Sequence, residues 1–285
     1  MILQTIVAMR QAPFTLRCGK YNLRLNRPLV MGIVNITPDS FSDGGRFLGR
    51  DQAIAHARRL IEDGADLIDL GGESTRPGAT PAALDEELAR VIPVLEGVVA
   101  DGVPVSVDTQ KPEVMRAAIR AGAAMINDVN ALQAEGAVEI CAASEVAVCL
   151  MHKQGAPQTM QVAPHYEDVL AEVGHFLRSR ARVCKAAGVA HDRIVIDPGF
   201  GFGKTVEHNL VLLRQLKSLT TLGYPLMAGY SRKTSLGAIT GRPVGERLAA
   251  SLAAAMLAAQ NGAAILRVHD VRETIDVLKV LSAAG

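Results

Sequence analysis

Eight short apolar runs in this chain each end abruptly in polar groups. Residues 29–34 run into Asn35, 66–70 into Gly71, Gly72 and Glu73, 104–107 into Asp108, and 124–126 into Asn127. Residues 146–151 end at His152 and 193–196 at Asp197; 225–229 lead to Ser231, Arg232 and Lys233, and 263–266 end at Arg267 and His269. Helix-like sequence follows nearly all of them. Buried parallel strands, each followed by a helix, predict an α/β chain folded as a (β/α)8 TIM barrel, whose chemistry gathers at the C-terminal strand ends. The polar residues fall at those ends, so they predict one site drawn from the whole chain.

The 285 residues suffice for one such barrel, which needs about 250, and no Pro/Ser-rich linker or low-complexity tract divides them. A single domain over 1–285 is expected. Residues 14–27 read as a β-hairpin: Phe14, Leu16 and Cys18 alternate with polar residues, Gly19-Lys20 turns, and 21–25 alternates again. Such an N-terminal hairpin could cap the bottom of a barrel. Helices are predicted over 51–63, 84–100, 112–121, 134–143, 166–187, 207–215, 245–261 and 271–281.

Thirty basic against twenty-nine acidic residues leave a net charge of +1, which argues against a nucleic-acid or membrane-surface partner. No apolar stretch approaches a membrane span. The apolar start at 1–9 is short, with no basic residue before it and no clear cleavage site, so no signal peptide is expected. Cys18, Cys141, Cys149 and Cys184 show no metal-ligand spacing and read as buried thiols of a cytoplasmic protein.

Asp108, Asn127 and Asp197 terminate three different runs. Each could be a helix cap, since Asp and Asn are favoured there. Convergence of all three with Lys233 on one barrel mouth instead predicts a pocket for a flat heterocycle carrying donors and acceptors. A carboxylate can take two parallel N–H bonds from the edge that a pterin or guanine presents. Asn35, Arg267, His269 and Arg76 form a second set suited to an oxyanion, and the Asn35 amide oxygen could be a minor ligand of Mg2+. Arg267 and His269, two apart along a strand end, are expected on one face.

The connections 35–50, 71–83 and 153–165 are the longest and read as substrate-covering loops. The segment from Asp197 to Thr205 suggests a Walker A loop, but only three residues separate Gly199 from Gly203, and the match fails. Its glycines could let backbone approach a flat ligand while Phe200 or Phe202 supplies an aromatic surface. Lys204 reads equally as part of the site or as a solvated loop residue, and His152 stays undecided. Asp69 reads as strand-end support.

Two segments resemble the signature segments of the dihydropteroate synthase family, a group of pterin-binding TIM barrels: Met31 to Gly45 (MGIVNITPDSFSDGG) and Gly71 to Gly78 (GGESTRPG). Val105–Thr109, Ile126–Asp128, Cys149–His152, the Asp197 glycine segment, Ser231–Lys233 and Arg267–Asp270 match in the same order, from about Phe14 to the C-terminus. The resemblance implies condensation of p-aminobenzoate with 6-hydroxymethyl-7,8-dihydropterin pyrophosphate, giving 7,8-dihydropteroate for folate synthesis and releasing pyrophosphate. It places the pterin on Asp108, Asn127, Asp197 and Lys233, with Met151, Phe202 and Gly229 lining the pocket. Asn35, Arg76, Arg267 and His269 would hold the pyrophosphate, Asn35 also touching Mg2+. Thr75, Arg76, Pro77 and Ser231 would shape the p-aminobenzoate site. Asp108, Lys233, Arg267 and His269 are the expected catalytic groups, and a homodimer is implied.

Lys153, where the family often has an apolar residue, and the variable stretch Asn130-Ala131-Leu132 depart from the pattern. A pterin-binding methyltransferase would share the barrel and pocket, but would have no use for a pyrophosphate clamp or for the two signature loops. A catalytically idle homologue would be marked by loss of Asn35, Asp108 or Lys233, and all three are present.

Overall fold

The computed structural model describes residues 15–37, 45–74, 80–155, 160 and 162–284. Strands β3 (Leu29–Asn35), β4 (Leu67–Gly71), β5 (Val105–Asp108), β6 (Met125–Asp128), β7 (Ala147–Met151), β8 (Ile194–Asp197), β9 (Leu226–Ala228) and β10 (Ala263–Val268) close into a parallel barrel, with β10 beside β3. Their residues are buried along almost the whole length of every strand, as expected where helices cover the outer face. The predicted (β/α)8 barrel is therefore observed.

The helices are α1 (Gly45–Glu62), α2 (Leu84–Val98), α3 (Pro112–Arg120), α4 (Ala137–Ala142), α5 (Val169–Ala186), α6 (Val206–Arg214), α7 (Leu216–Leu219), α8 (Thr234–Thr240), α9 (Leu248–Gln260) and α10 (Val271–Ala284). Helix α5 starts three residues later than the pattern suggests because Asp168 caps it, accepting from the backbone N–H groups of Leu170 and Ala171. Helix α8 was not foreseen. Its seven residues follow the 230–233 turn directly, and the Gly at 237 obscures the helical periodicity.

The hairpin is confirmed as β1 (Thr15–Cys18) and β2 (Tyr21–Arg24), paired antiparallel. It does cap the barrel. Leu16 and Cys18, both fully buried, join Leu29, Met31, Leu67, Met125, Val195, Met227 and Ile265 in one interior cluster. The Gly19 N–H donates to the Glu145 carbonyl at 3.1 Å, and the Cys18 thiol to the Ala124 carbonyl at 3.3 Å. The lower half of the barrel is thus filled with apolar side chains and sealed from below, leaving only the upper end for a site.

The four cysteines are buried, free thiols. Among the described residues no helix is long and apolar enough to cross a membrane.

Candidate active site

Strand register builds the site. Asn35 pairs with Gly71, Gly71 with Asp108, and Asp108 with Asn127, so four consecutive strands bring these positions to one level. Alternation does the rest. Leu67, Met125, Val195, Met227 and Ile265 belong to the interior apolar cluster, and two residues further on stand Asp69, Asn127, Asp197, Gly229 and Arg267. Side chains of a strand share a face at every second position, so a polar layer sits directly on the apolar one.

Above that layer opens a cleft of about 420 Å3, its mouth included, lined by Asp108, Asn127, Met151, Asp197, Phe202, Gly229, Lys233 and Arg267. The structure therefore brings together the whole expected heterocycle set. Val129, Met227, Gly199 and Phe200 line it too. Sequence reasoning missed Met227, although it stands two residues before Gly229. The cap reading fails for Asp108 and Asn127: α3 is preceded by Lys111 with no side-chain cap, and the amide of Asn127 instead donates to Asp69 Oδ2 at 3.1 Å.

Asp69 is more than strand-end support. Its buried Oδ2 also accepts from Arg267 Nε at 2.6 Å, while Arg267 Nη2 donates to Asp108 Oδ2 at 2.9 Å. Arg267 thus bridges the two residue sets that the sequence separates. Burial works against its charge, but Asp69 and Asp108 outweigh that and hold its pKa above the usual value. Burial pushes Asp108 up to about 7, against the pull of Arg267. Burial likewise raises Asp197 to about 6, opposed by the Gly199 N–H and by Lys233. Asp197 Oδ1 accepts that N–H at 2.7 Å. Lys233 Nζ lies over the Phe202 ring, 4.1 Å from its centroid, so ring and cation occupy one wall.

His269 is tied to Ser231. Its backbone N–H donates to Ser231 Oγ at 3.3 Å, and the same hydroxyl stands 3.0 Å from Nδ1. A hydroxyl has one O–H and two lone pairs, so Ser231 can accept from the backbone and still pair with the ring, as donor or acceptor according to the ring's tautomer. Burial, with Arg232 and Arg267 nearby, lowers His269 to about 3, so it acts as a neutral N–H donor and not as a cation. Ser231, expected beside the arylamine, is engaged with His269.

Gly71 stands between Asn35 and Asp108, with room for one methyl group beside it. A Cβ added at Gly71 would stand 3.8 Å from Asn35 Oδ1 and 3.9 Å from the Asp108 Cβ, ordinary contact distances. Thr75, Arg76 and Pro77 lie outside the described residues, as do 38–44 of the first long loop. The second loop is tied at its base: Glu73 accepts from the Ala82 N–H at 3.0 Å and pairs with Lys111, which also reaches Glu87. Lys153 stands 3.5 Å from the Gln110 amide oxygen, away from the cleft lining. Lys204 is not a solvated loop residue; it is 3% exposed.

A barrel whose upper end carries two carboxylates, an amide and two fixed cations around a flat cleft defines a class of enzyme built to grip a nitrogen heterocycle. The family model described as "Pterin binding enzyme" matches residues 31–269. Dihydropteroate synthase of Neisseria meningitidis serogroup B is 49% identical over 276 residues, which is 94% of this chain and 97% of the relative. The structure of the Xanthomonas albilineans dihydropteroate synthase with 4-aminobenzoic acid superposes with a TM-score of 0.91 at 54% identity, covering 96% of this chain and 98% of that one. The Burkholderia cenocepacia enzyme complexed with 7,8-dihydropteroate gives 0.87 at 49%, covering 95% and 96%. The chain belongs to the pterin-binding enzymes and, among them, to the dihydropteroate synthases.

Proposed function

We propose that this chain joins p-aminobenzoate to 6-hydroxymethyl-7,8-dihydropterin pyrophosphate and releases pyrophosphate, forming 7,8-dihydropteroate in folate biosynthesis. The observation that carries the reading is the Asp69–Arg267–Asp108 bridge, set beside Asn127, Asp197 and Lys233 on one cleft. Asp197, with Oδ1 held by Gly199, offers its other oxygen to the N–H edge of the ring. Asn127 and Lys233 address the remaining ring heteroatoms, and Met151 and Phe202 cover the faces. Arg267 and His269 receive charge as the pyrophosphate leaves. Asp108 stands where positive charge would collect on the pterin methylene. Thr75, Arg76, Pro77 and Ser231 shape the arylamine site, and Arg76 also reaches the pyrophosphate.

Departure precedes attack in this reading, with no covalent enzyme intermediate. Ring electrons assist the loss of pyrophosphate, and the arylamine nitrogen, a modest nucleophile, then captures the methylene. Trapped pyrophosphate and cleaved pterin before p-aminobenzoate is added would support that order. A first-order dependence of pyrophosphate release on p-aminobenzoate would refute it.

Among the described residues no cluster of three His, Cys, Asp or Glu could hold a metal. The one amide oxygen of Asn35, beside Gly71, fits Mg2+ only as a water-rich ion that leans on the substrate's phosphates. Bound there, Mg2+ would neutralise charge on the leaving group.

The protein works as a cytoplasmic homodimer in this reading. Four buried free thiols suit a reducing compartment. Helix α9 carries Leu, Ala or Met at most positions and leaves Leu248, Met256 and Leu257 exposed, the surface a second copy would cover.

Incubation with pterin pyrophosphate and p-aminobenzoate, with and without Mg2+, tests the whole assignment. Formation of dihydropteroate is expected. Methyl transfer from methyltetrahydrofolate with no turnover of the pterin pyrophosphate would overturn it.

A further inference from the structure

Lys204 presents an unusual arrangement. Its Nζ donates to the carbonyls of Gly199 at 2.9 Å and Phe202 at 3.0 Å, and it stands 3.0 Å from His152 Nδ1 and 3.4 Å from the His152 carbonyl. The amino group is thus held by backbone oxygens and one imidazole nitrogen, and burial lowers its pKa to about 7 against the pull of Asp197. Burying a charge is costly unless it is fully bonded, and an apolar side chain of the same length would fill the space at no such cost. The choice of lysine therefore asks for a reason in what it holds.

What it holds is the wall of the cleft. Gly199 and Phe202, whose carbonyls it gathers, both line the pocket. The Gly199 N–H fixes Asp197, and the Phe202 ring lies under Lys233. Gly199, Gly201 and Gly203 all take left-handed φ values of 68°, 82° and 63°, so the backbone winds with its carbonyls turned inward. A side chain on Gly199 would collide with the His152 carbonyl, and one on Gly203 with that of Gln154. The loop after β8 is therefore pressed flat against the loop after β7. The rest of the winding has other supports: Asn209 accepts the Gly201 N–H at 2.7 Å, and Tyr166 donates to the Gly203 carbonyl at 2.8 Å. Among the described residues, Lys204 alone joins the two pocket-lining carbonyls to His152. The His152 ring stands edge-on to Phe176 with centroids 5.0 Å apart.

We propose that Lys204 is a positioning residue for the heterocycle: its buried amino group fastens the β8 loop to the β7 loop and so sets the places of Asp197, Phe202 and Met151 around the ligand. The inference rests on the pterin reading given above. It predicts an effect on one substrate. The arylamine, which the other loops serve, should not feel it.

Steady-state kinetics on the whole protein, with thermal unfolding in parallel, tests this on Lys204→Met and Lys204→Gln. Lys204→Met is expected to unfold within a few degrees of the native protein, since an apolar replacement of a buried charge is commonly neutral or stabilising. Its KM for pterin pyrophosphate should rise at least tenfold while the KM for p-aminobenzoate is unchanged. Lys204→Gln keeps two N–H donors and should fall between Met and the native residue. An unchanged pterin KM, or an equal rise in both KM values, would overturn the proposal. So would failure of both variants to fold, which would place the role of Lys204 in the fold and not in the pocket. Should the native protein fail to turn over pterin pyrophosphate, the functional reading itself falls, an outcome distinct from any of these.

Discussion

Arg267 and Asp108 are joined by a 2.9 Å hydrogen bond across the barrel mouth, and the same guanidinium is anchored from behind by Asp69 at 2.6 Å. A residue expected to receive a leaving anion therefore rests on two carboxylates. Asp69 fixes the direction from which Arg267 works, and it fixes Asn127 through the same oxygen. Replacing Asp69 by Asn keeps the shape but removes the charge that holds the fork. A hydrogen bond to a charged group contributes roughly 1.5–3 kcal/mol, so Asp69→Asn should lower stability by about that amount. Its kcat should fall at least tenfold, with a smaller change in the KM for pterin pyrophosphate. A native kcat in a folded Asp69→Asn protein would separate Arg267 from the chemistry.

Two carboxylates with raised pKa values make ligand binding and folding respond to pH in opposite directions. Asp197, raised from 3.8 to about 6, must be ionised for its free oxygen to accept strongly from the N–H edge of the ring. Affinity for a pterin ligand should therefore be flat above pH 7 and fall roughly tenfold per unit well below pH 6. For the unliganded fold the sign reverses. Where the folded pKa exceeds the unfolded one, the native state binds more protons, so the contributions of Asp108 and Asp197 rise as pH falls from about 7 towards 4. Calorimetric titration and thermal unfolding across pH 5–8 would show the two trends. Asp197→Asn should abolish the acid limb of binding and weaken affinity about 30-fold or more, the scale of a lost charged hydrogen-bond pair.

Much of this was legible because strand ends announce themselves: a short apolar run that stops at Asp or Asn gives both the element and the side chain. Asp108, Asn127 and Asp197 were readable in this way, and register then brought Asp108 and Asn127 to one level. Asp69 was harder to read because it lies inside its run, between Ile68 and Leu70, and looks like an interruption. The period of two, with the buried Leu67 before it, is the signal that would have marked it as inward-facing. Lys204 was not legible. Its cage is made of main-chain oxygens, which leave no trace in residue identity. The tie between Ser231 and His269 spans 38 residues of sequence and depends on how β9 and β10 lie together.

The hairpin should be a stability element alone. Leu16 is fully buried in one cluster with Met31 and Leu67 at the sealed end, and it does not line the cleft. Cutting a buried Leu to Ala generally costs about 2–5 kcal/mol, the spread reflecting how far the site can collapse. Leu16→Ala should lose stability on that scale in urea unfolding while its kcat/KM at 25 °C stays within about twofold of native. A large loss of activity in the folded variant would mean that the plug also shapes the polar layer above it.

The exposed side of α9 tests the homodimer. Leu248, Met256 and Leu257 are 39%, 37% and 43% exposed, and Ile239 and Val244, just before α9 in sequence, are 51% and 57% exposed. Polar side chains dominate an ordinary helix surface, whereas α9 carries only Ser251 and Gln260 among its thirteen residues. A stable interface removes about 800 Å2 from each partner and is centred on such apolar anchors. A charge placed there has no partner in the single chain and meets its own copy across a two-fold axis, where like charges repel. Met256→Glu combined with Leu257→Glu should therefore shift the protein from dimer to monomer in sedimentation velocity. The unfolding temperature should fall and lose its dependence on protein concentration, because the separated chain no longer gains the stability of association. An unaltered sedimentation coefficient, or a native protein that sediments as a monomer, would remove α9 as the contact between copies.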